Sequence, residues 1–289
     1  MWAEFKEKPF ENAFLAELAR HTNIQFSPDQ TDEGILGFDG AFFLPLPKMH
    51  LVFPYVRFRR WRHFVGMTAS EIDSFGAELD ARLPPFNLNL FVQYKRPEWL
   101  KQSNATEWAS WSHPYFRYTI EPKQQGLLEK IASTAAGRAA VLYAAAAFWK
   151  SSDLFAFGLA NDIIPNSHLA SAEMLTGHQR MTYAGPGSFG IAHSEPENVE
   201  GPSLETILAA GERNEALPFT KHMKTTAGLI ERALGDDSGD YQLLQAARAA
   251  MLGGDIGDVM PRGRGSWIDA LVSIAAFAQA FDIRVVAVG

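Results

Sequence analysis

The sequence predicts an α/β fold with a helical C-terminal region, and three observations predict it. Apolar runs of strand length alternate with amphipathic helical patterns over the first two thirds of the chain. The last third reads mainly as successive helices. The composition supports a buried core, since 47% of the 289 residues are hydrophobic, enough for one large core or two modest ones. Charged residues make up 20%, a little below the roughly 25% of average soluble domains. The chain has no cysteine, which excludes disulfides, thiolate metal sites and cysteine nucleophiles, and fits a reducing compartment. Met1 to Phe10 mixes charged and aromatic residues without an apolar core, so no secretory signal and a cytoplasmic location are expected. The longest apolar stretches, Ala139 to Trp149 and Ala270 to Phe281, fall short of the roughly 20 residues that cross a bilayer, so no membrane span is expected.

In chain order, Phe10, Phe14, Leu15 and Leu18 predict an amphipathic helix over Phe10 to His21. Ile35 to Leu46 predicts a strand carrying Asp39, with Leu51 to Val65 as its hairpin partner. Thr68 and Glu71 form a capping box that opens a helix running to Leu83, stopped by Pro84-Pro85. Leu88 to Tyr94 and Tyr115 to Ile120 read as strands, Gln124 to Thr134 as a helix, Ala139 to Phe148 as a buried strand and Ser152 to Ile163 as a helix. The Ala-rich stretch Val141 to Ala147 is also compatible with a helix, because periodicity does not separate the two over so short a span. Gly177 to Gly201 reads as a loop. Ser203 to Gly211, Thr220 to Leu234, Tyr241 to Leu252 and Trp267 to Phe281 read as helices, and Ile283 to Val288 as a final strand.

Two features carry candidate chemistry. An acidic residue inside an apolar strand, as Asp39 is, costs free energy to bury unless it is paired or binds a cation. Gln93 and Lys95 stand two apart on a predicted strand, so they leave one face while Val92 and Tyr94 point to the other. Asp39 precedes Gly40, and Asp-Gly also suits a hairpin turn. The net charge of -7 argues against coating nucleic acid through bulk electrostatics. A local basic run, Arg57, Arg59, Arg60 and Arg62 interleaved with Tyr55, Phe58 and Trp61, suits phosphate grip and base stacking, or equally a charged edge strand that resists aggregation. The loop with His178, Arg180 and a Gly-Pro-Gly-Ser-Phe-Gly run matches neither phosphate-loop pattern, and neither HExxH nor GxSxG is present.

Glu11 in the opening helix, Asp39 in Gly-Phe-Asp-Gly, and Gln93 with Lys95 in Phe-Val-Gln-Tyr-Lys-Arg-Pro follow one another in the order of a known pattern. The chain thus resembles the PD-(D/E)XK nuclease superfamily, in its Mrr-like branch with a D…QxK motif, over roughly residues 8 to 165. The resemblance implies a restriction-endonuclease-like mixed central sheet flanked by helices. It implies a nuclease core over 1–200 with an insertion at about 48–86, and a mainly helical accessory region over 201–289. It also implies a Mg²⁺-dependent endonuclease, with Mn²⁺ as a substitute, acting on DNA in restriction or antiviral defence, as a homodimer or with an activating partner protein. Asp39, Gln93 and Glu11 would hold the metal, with Glu17 or Glu33 as substitutes for Glu11, and Lys95 would orient the attacking water or stabilise the phosphate. The runner-up expectation is a catalytically inactive protein of the same fold that serves as a nucleic-acid-binding or interaction module.

Overall fold

The computed structural model of the chain describes residues 1–23, 25–27, 41–43, 69–236, 238–252 and 266–289. Asp39, Glu33, the Arg57, Arg59, Arg60 and Arg62 run, its expected strand and Thr68 lie outside the described residues. In chain order the elements are helix α1 (Glu7–Leu18), strands β1 (Gln25–Ser27) and β2 (Ala41–Phe43), α2 (Ala69–Arg82), β3 (Leu88–Lys95), β4 (Glu98–Leu100), the single turn α3 (Trp108–Trp111), β5 (Tyr115–Thr119) and α4 (Pro122–Ala135). They continue with β6 (Ala139–Ala146), α5 (Ser151–Ala160), β7 (Ser167–Ser171), β8 (Arg180–Tyr183), β9 (Phe189–His193), β10 (Glu197–Glu200), α6 (Leu204–Gly211), α7 (Phe219–Leu234), α8 (Gly239–Leu252), α9 (Trp267–Phe281) and β11 (Arg284–Val288). The class is mixed α/β, with two sheets flanked by helices. Among the described residues no helix is long and apolar enough to cross a membrane.

The described residues fall into two compact units. One comprises Met1–His21, Phe91–Ser133 and Ala140–Ala210, the other Thr22–Leu90, Thr134–Ala139 and Gly211–Gly289 as far as they are described. This interleaved division differs from the 1–200 and 201–289 division read from the sequence, because β3 and β6 each have residues in both units.

In the first unit a five-stranded antiparallel sheet has the order β10-β9-β8-β5-β4. Its inner face stacks Tyr118 on Tyr143 of β6, centroids 5.8 Å apart, and Tyr183 on His168 of β7 at 4.2 Å. There β6 lies between β3 and β7, and pairs antiparallel with β7 from Leu142↔Ser171 to Ala146↔Ser167. On the far side of β3, Phe10 and Phe14 of α1 meet the Tyr94 ring edge-on at 6.0 and 5.6 Å. Leu88 to Tyr94 of β3 are therefore all buried, as expected of a strand covered on both faces. The ladder with β7 decides the Ala-rich segment in favour of a strand.

Gly177 to Gly201, expected to be a loop, instead contains β8, β9 and β10. Their apolar alternation is spread over strands of four or five residues, and glycine and proline interrupt it. The Gly-Pro-Gly-Ser-Phe-Gly run is the connection from β8 to β9. Gly187 takes φ +110 there, a conformation that L side chains rarely adopt, and the Ser188 hydroxyl donates to the Gly201 carbonyl at 2.7 Å.

In the second unit the strand order is β2-β1-β11-β3, with β1 antiparallel to both β2 and β11. The α7 helix sets Phe219 against Phe26, Phe86 and Trp267 at 5.1 to 5.9 Å. Gly76 of α2 admits no side chain, because a Cβ there would lie 2.6 Å from the Trp267 indole nitrogen. Ser266 caps α9 by accepting from the Asp269 amide at 3.0 Å. The one polar side chain that β3 buries in this unit, Asn89, accepts from His222 Nε2 at 2.9 Å and the Thr226 hydroxyl at 3.2 Å.

Two buried histidines make stability depend on pH. Neither ring nitrogen of His168 has a well-formed hydrogen bond, and burial depresses its pKa to about 3. Burial, with the positive charge of Arg138, lowers His222 to about 4. Both folded values lie below the unfolded value near 6.5, so the unfolded chain binds more protons as pH falls through 6.5. The stability is complete above that pH and declines towards 4, by about 1.4 kcal/mol per pH unit for each histidine. Urea unfolding between pH 7.5 and 4.5 should show the decline, and His168→Phe, which keeps the ring on Tyr183, should flatten it. An unchanged slope in that variant would contradict the assignment.

Candidate functional site

Gln93 and Lys95 leave β3 on one face, as their spacing predicts, and α4 reaches that face with its first turn. Helix α4 begins at Pro122, where the missing N–H costs nothing and the fixed φ suits a helix. Glu121 accepts from the Gln124 amide through Oε2 at 2.7 Å, which caps the helix and fixes Gln124 in its first turn. From there Gln124 Nε2 donates to Gln93 Oε1 at 2.5 Å, and Gln124 Oε1 accepts from Lys95 Nζ at 3.0 Å. Gln93 Nε2 donates to the Tyr94 carbonyl at 3.2 Å. The Lys95 ammonium also lies 5.6 Å from the centroid of the Tyr143 ring, within cation–π range. The Tyr143 hydroxyl donates to Gln125 Oε1 at 2.8 Å, and Gln125 Nε2 donates to Glu129 and to the Ala172 carbonyl, each at 2.7 Å. Burial, aided by Glu129 and Glu121, raises the Tyr143 pKa, so its ring stays neutral beside the ammonium.

Glu11 and Glu17 are the other expected residues that the structure describes. Glu11 is buried on α1, whose Phe10 and Phe14 pack against Tyr94, the side of β3 opposite Gln93, and it is bonded to Lys8 Nζ at 3.1 Å. Glu17, its suggested substitute, accepts from the Ile163 amide at 2.6 Å. Among the described residues no three His, Asp or Glu side chains converge on a point that could hold a metal ion. Gln93 offers one neutral oxygen, which already accepts from Gln124. The described donors alone thus do not fit a magnesium cage, and such a site depends on Asp39.

A second polar cluster had no motif to announce it. Glu107, just before α3, is buried and accepts from the Tyr115 hydroxyl and from Arg117 Nη1, both at 3.0 Å. Arg180 Nε lies 2.8 Å from its other oxygen, an ion pair without hydrogen-bond geometry. Burial, the largest influence, pushes the carboxyl pKa up, but Tyr115, Arg117 and Arg180 together outweigh it and hold it below its ordinary value. Burial and the Glu107 bond push Tyr115 up to about 12. Beside them Thr182 Oγ1 accepts from Trp111 Nε1 at 2.9 Å, donates to the Ile191 carbonyl at 3.1 Å and lies 2.8 Å from His193 Nε2. Arg180, read from sequence as a loop cation, is thus a strand residue paired with a buried acid.

Removing that acid takes one carboxylate from each of two guanidinium groups, although Arg117 keeps Glu98 at 2.6 Å and Arg180, 40% exposed, recovers part of its hydration. Glu107→Ala is expected to lower unfolding free energy by about 2 kcal/mol, less than the full cost of breaking a buried pair. Urea denaturation at pH 7 measures this, and a loss under about 0.5 kcal/mol, ordinary for a surface position, would contradict the reading.

In comparisons with known proteins, no family model, no curated protein and no solved structure matches this chain.

Proposed function

We propose that the chain is a Mg²⁺-dependent phosphodiester hydrolase, an endonuclease acting on DNA, with Lys95 and Gln93 in its site. The observation that carries this reading is that an ammonium and a carboxamide sit on one face of a buried strand, both hydrogen-bonded to a single glutamine amide. Phosphodiester hydrolysis builds negative charge on the phosphate, and a fixed cation there stabilises the transition state without reorganising. Lys95 takes that role or orients the attacking water. The metal would be held by Asp39 with Gln93 and would lower the pKa of a bound water to supply the nucleophile. Glu11 enters this reading only through the resemblance, as a ligand of the metal or of its waters. Arg57, Arg59, Arg60 and Arg62 would contact phosphates. A role in restriction or antiviral defence, in the cytoplasm and with a second copy or an activating partner, belongs to the same reading.

The competing reading is a non-catalytic nucleic-acid-binding or interaction module. It is favoured by the engagement of Gln93 Oε1 with Gln124.

The test is cleavage of plasmid, single-stranded DNA and RNA in Mg²⁺ and in EDTA. Wild type should cleave DNA only with metal, and Asp39→Ala and Lys95→Ala should each slow it by about 100-fold or more. Absence of metal-dependent cleavage of every substrate would contradict the proposal and favour the module.

A further inference from the structure

We infer that Gln124 is the positioning residue of this site, orienting Lys95 and Gln93 together; the inference rests on the hydrolase reading for its functional consequence, though not for its geometry. A lysine ammonium only donates hydrogen bonds, whereas a carboxamide has one accepting and one donating end. The 3.0 Å contact from Lys95 Nζ therefore dictates that Gln124 turns its oxygen towards the lysine. Its Nε2 is left facing β3, where a donor needs an acceptor, and this in turn dictates that Gln93 presents Oε1 to it and Nε2 to the Tyr94 carbonyl. The charge thus sets the orientation of the Gln124 amide, and the Tyr94 carbonyl sets the matching orientation of Gln93.

The positions of the parts support the same reading. Glu121 fixes the backbone of Gln124 at the start of α4. The Tyr143 ring holds the ammonium from a second direction and is itself tied through Gln125 to Ala172. A free lysine loses up to about 2 kcal/mol of rotamer entropy when it is ordered. Here that cost is met during folding, so the ammonium is in place before substrate arrives. No sequence motif marks Gln124.

Two variants separate the halves of the arrangement. Gln124→Met removes both hydrogen bonds at nearly constant volume, while Gln124→Glu keeps an acceptor for Lys95 and loses the donor to Gln93. In the full chain with ¹⁵N-labelled lysine, the wild-type Lys95 ammonium should give an observable, slowly exchanging signal. Gln124→Met should lose that signal and Gln124→Glu should keep it, with both variants folded at the temperature of the measurement and their melting temperatures lowered by a similar few degrees, since both leave Gln93 Oε1 without its donor. In the cleavage assay, Gln124→Met should lower kcat by about tenfold or more with KM nearly unchanged, and Gln124→Glu should recover part of the loss. A wild-type kcat in Gln124→Met, or a Lys95 signal indifferent to it, overturns the inference. If wild type cleaves nothing yet the lysine signal responds as described, the hydrolase reading fails and the orienting role of Gln124 stands.

Discussion

A strand buried on both faces has to satisfy every polar side chain it carries, and β3 carries three on one side. Asn89, Gln93 and Lys95 alternate with Leu88, Leu90, Val92 and Tyr94, which are apolar or pack as rings. A buried amide left without partners would cost roughly 1–3 kcal/mol, a large share of the stability of an ordinary domain. The satisfied alternative requires helices at set places. Asn89 draws on His222 and Thr226 of α7 within its unit, and Gln93 draws on Gln124 of α4 within the other. The apolar side is packed as closely: a Cβ on Gly211 would lie 2.9 Å from Leu88, and α1 closes on Tyr94.

The two polar clusters of the first unit differ in the kinds of contact they make. Around Glu107, two guanidinium groups and a phenol converge on a single carboxylate, and Glu98 takes a further bond from Arg117 at 2.6 Å. The charges there answer one another, so the cluster holds α3 onto the sheet. At Lys95 the contacts are of another kind, a neutral amide oxygen and an aromatic face. Both aim the ammonium.

Period-two and period-3.6 patterns read well wherever one element supplied the whole signal. The α1, α2 and α4 helices and the Gln93–Lys95 face of β3 were legible that way, whereas the Ala-rich β6 stayed open between strand and helix until its ladder with β7 decided it. The strands β8 to β10 were not, because residues such as Met181, Tyr183 and Ile191 alternate over too few positions between glycines and a proline. Glu107 was hidden because its partners Tyr115, Arg117 and Arg180 come from different strands, and only their pairing in the sheet brings them together. Gln124 looked like any polar residue on an amphipathic helix, its role being set by the Pro122 and Glu121 start that aims it at β3. Glu11 was chosen by its order in a pattern rather than by its own local signal.

The central claim is that Lys95 fixes the sense of a hydrogen-bond chain through Gln124 to Gln93. Scalar coupling across hydrogen bonds, measured on the side-chain amides of ¹³C,¹⁵N-labelled protein, reads that sense directly. A correlation from Gln124 Nε2 to the Gln93 side-chain carbonyl carbon is the predicted result. The reverse correlation, from Gln93 Nε2 to the Gln124 carbonyl carbon, would contradict it.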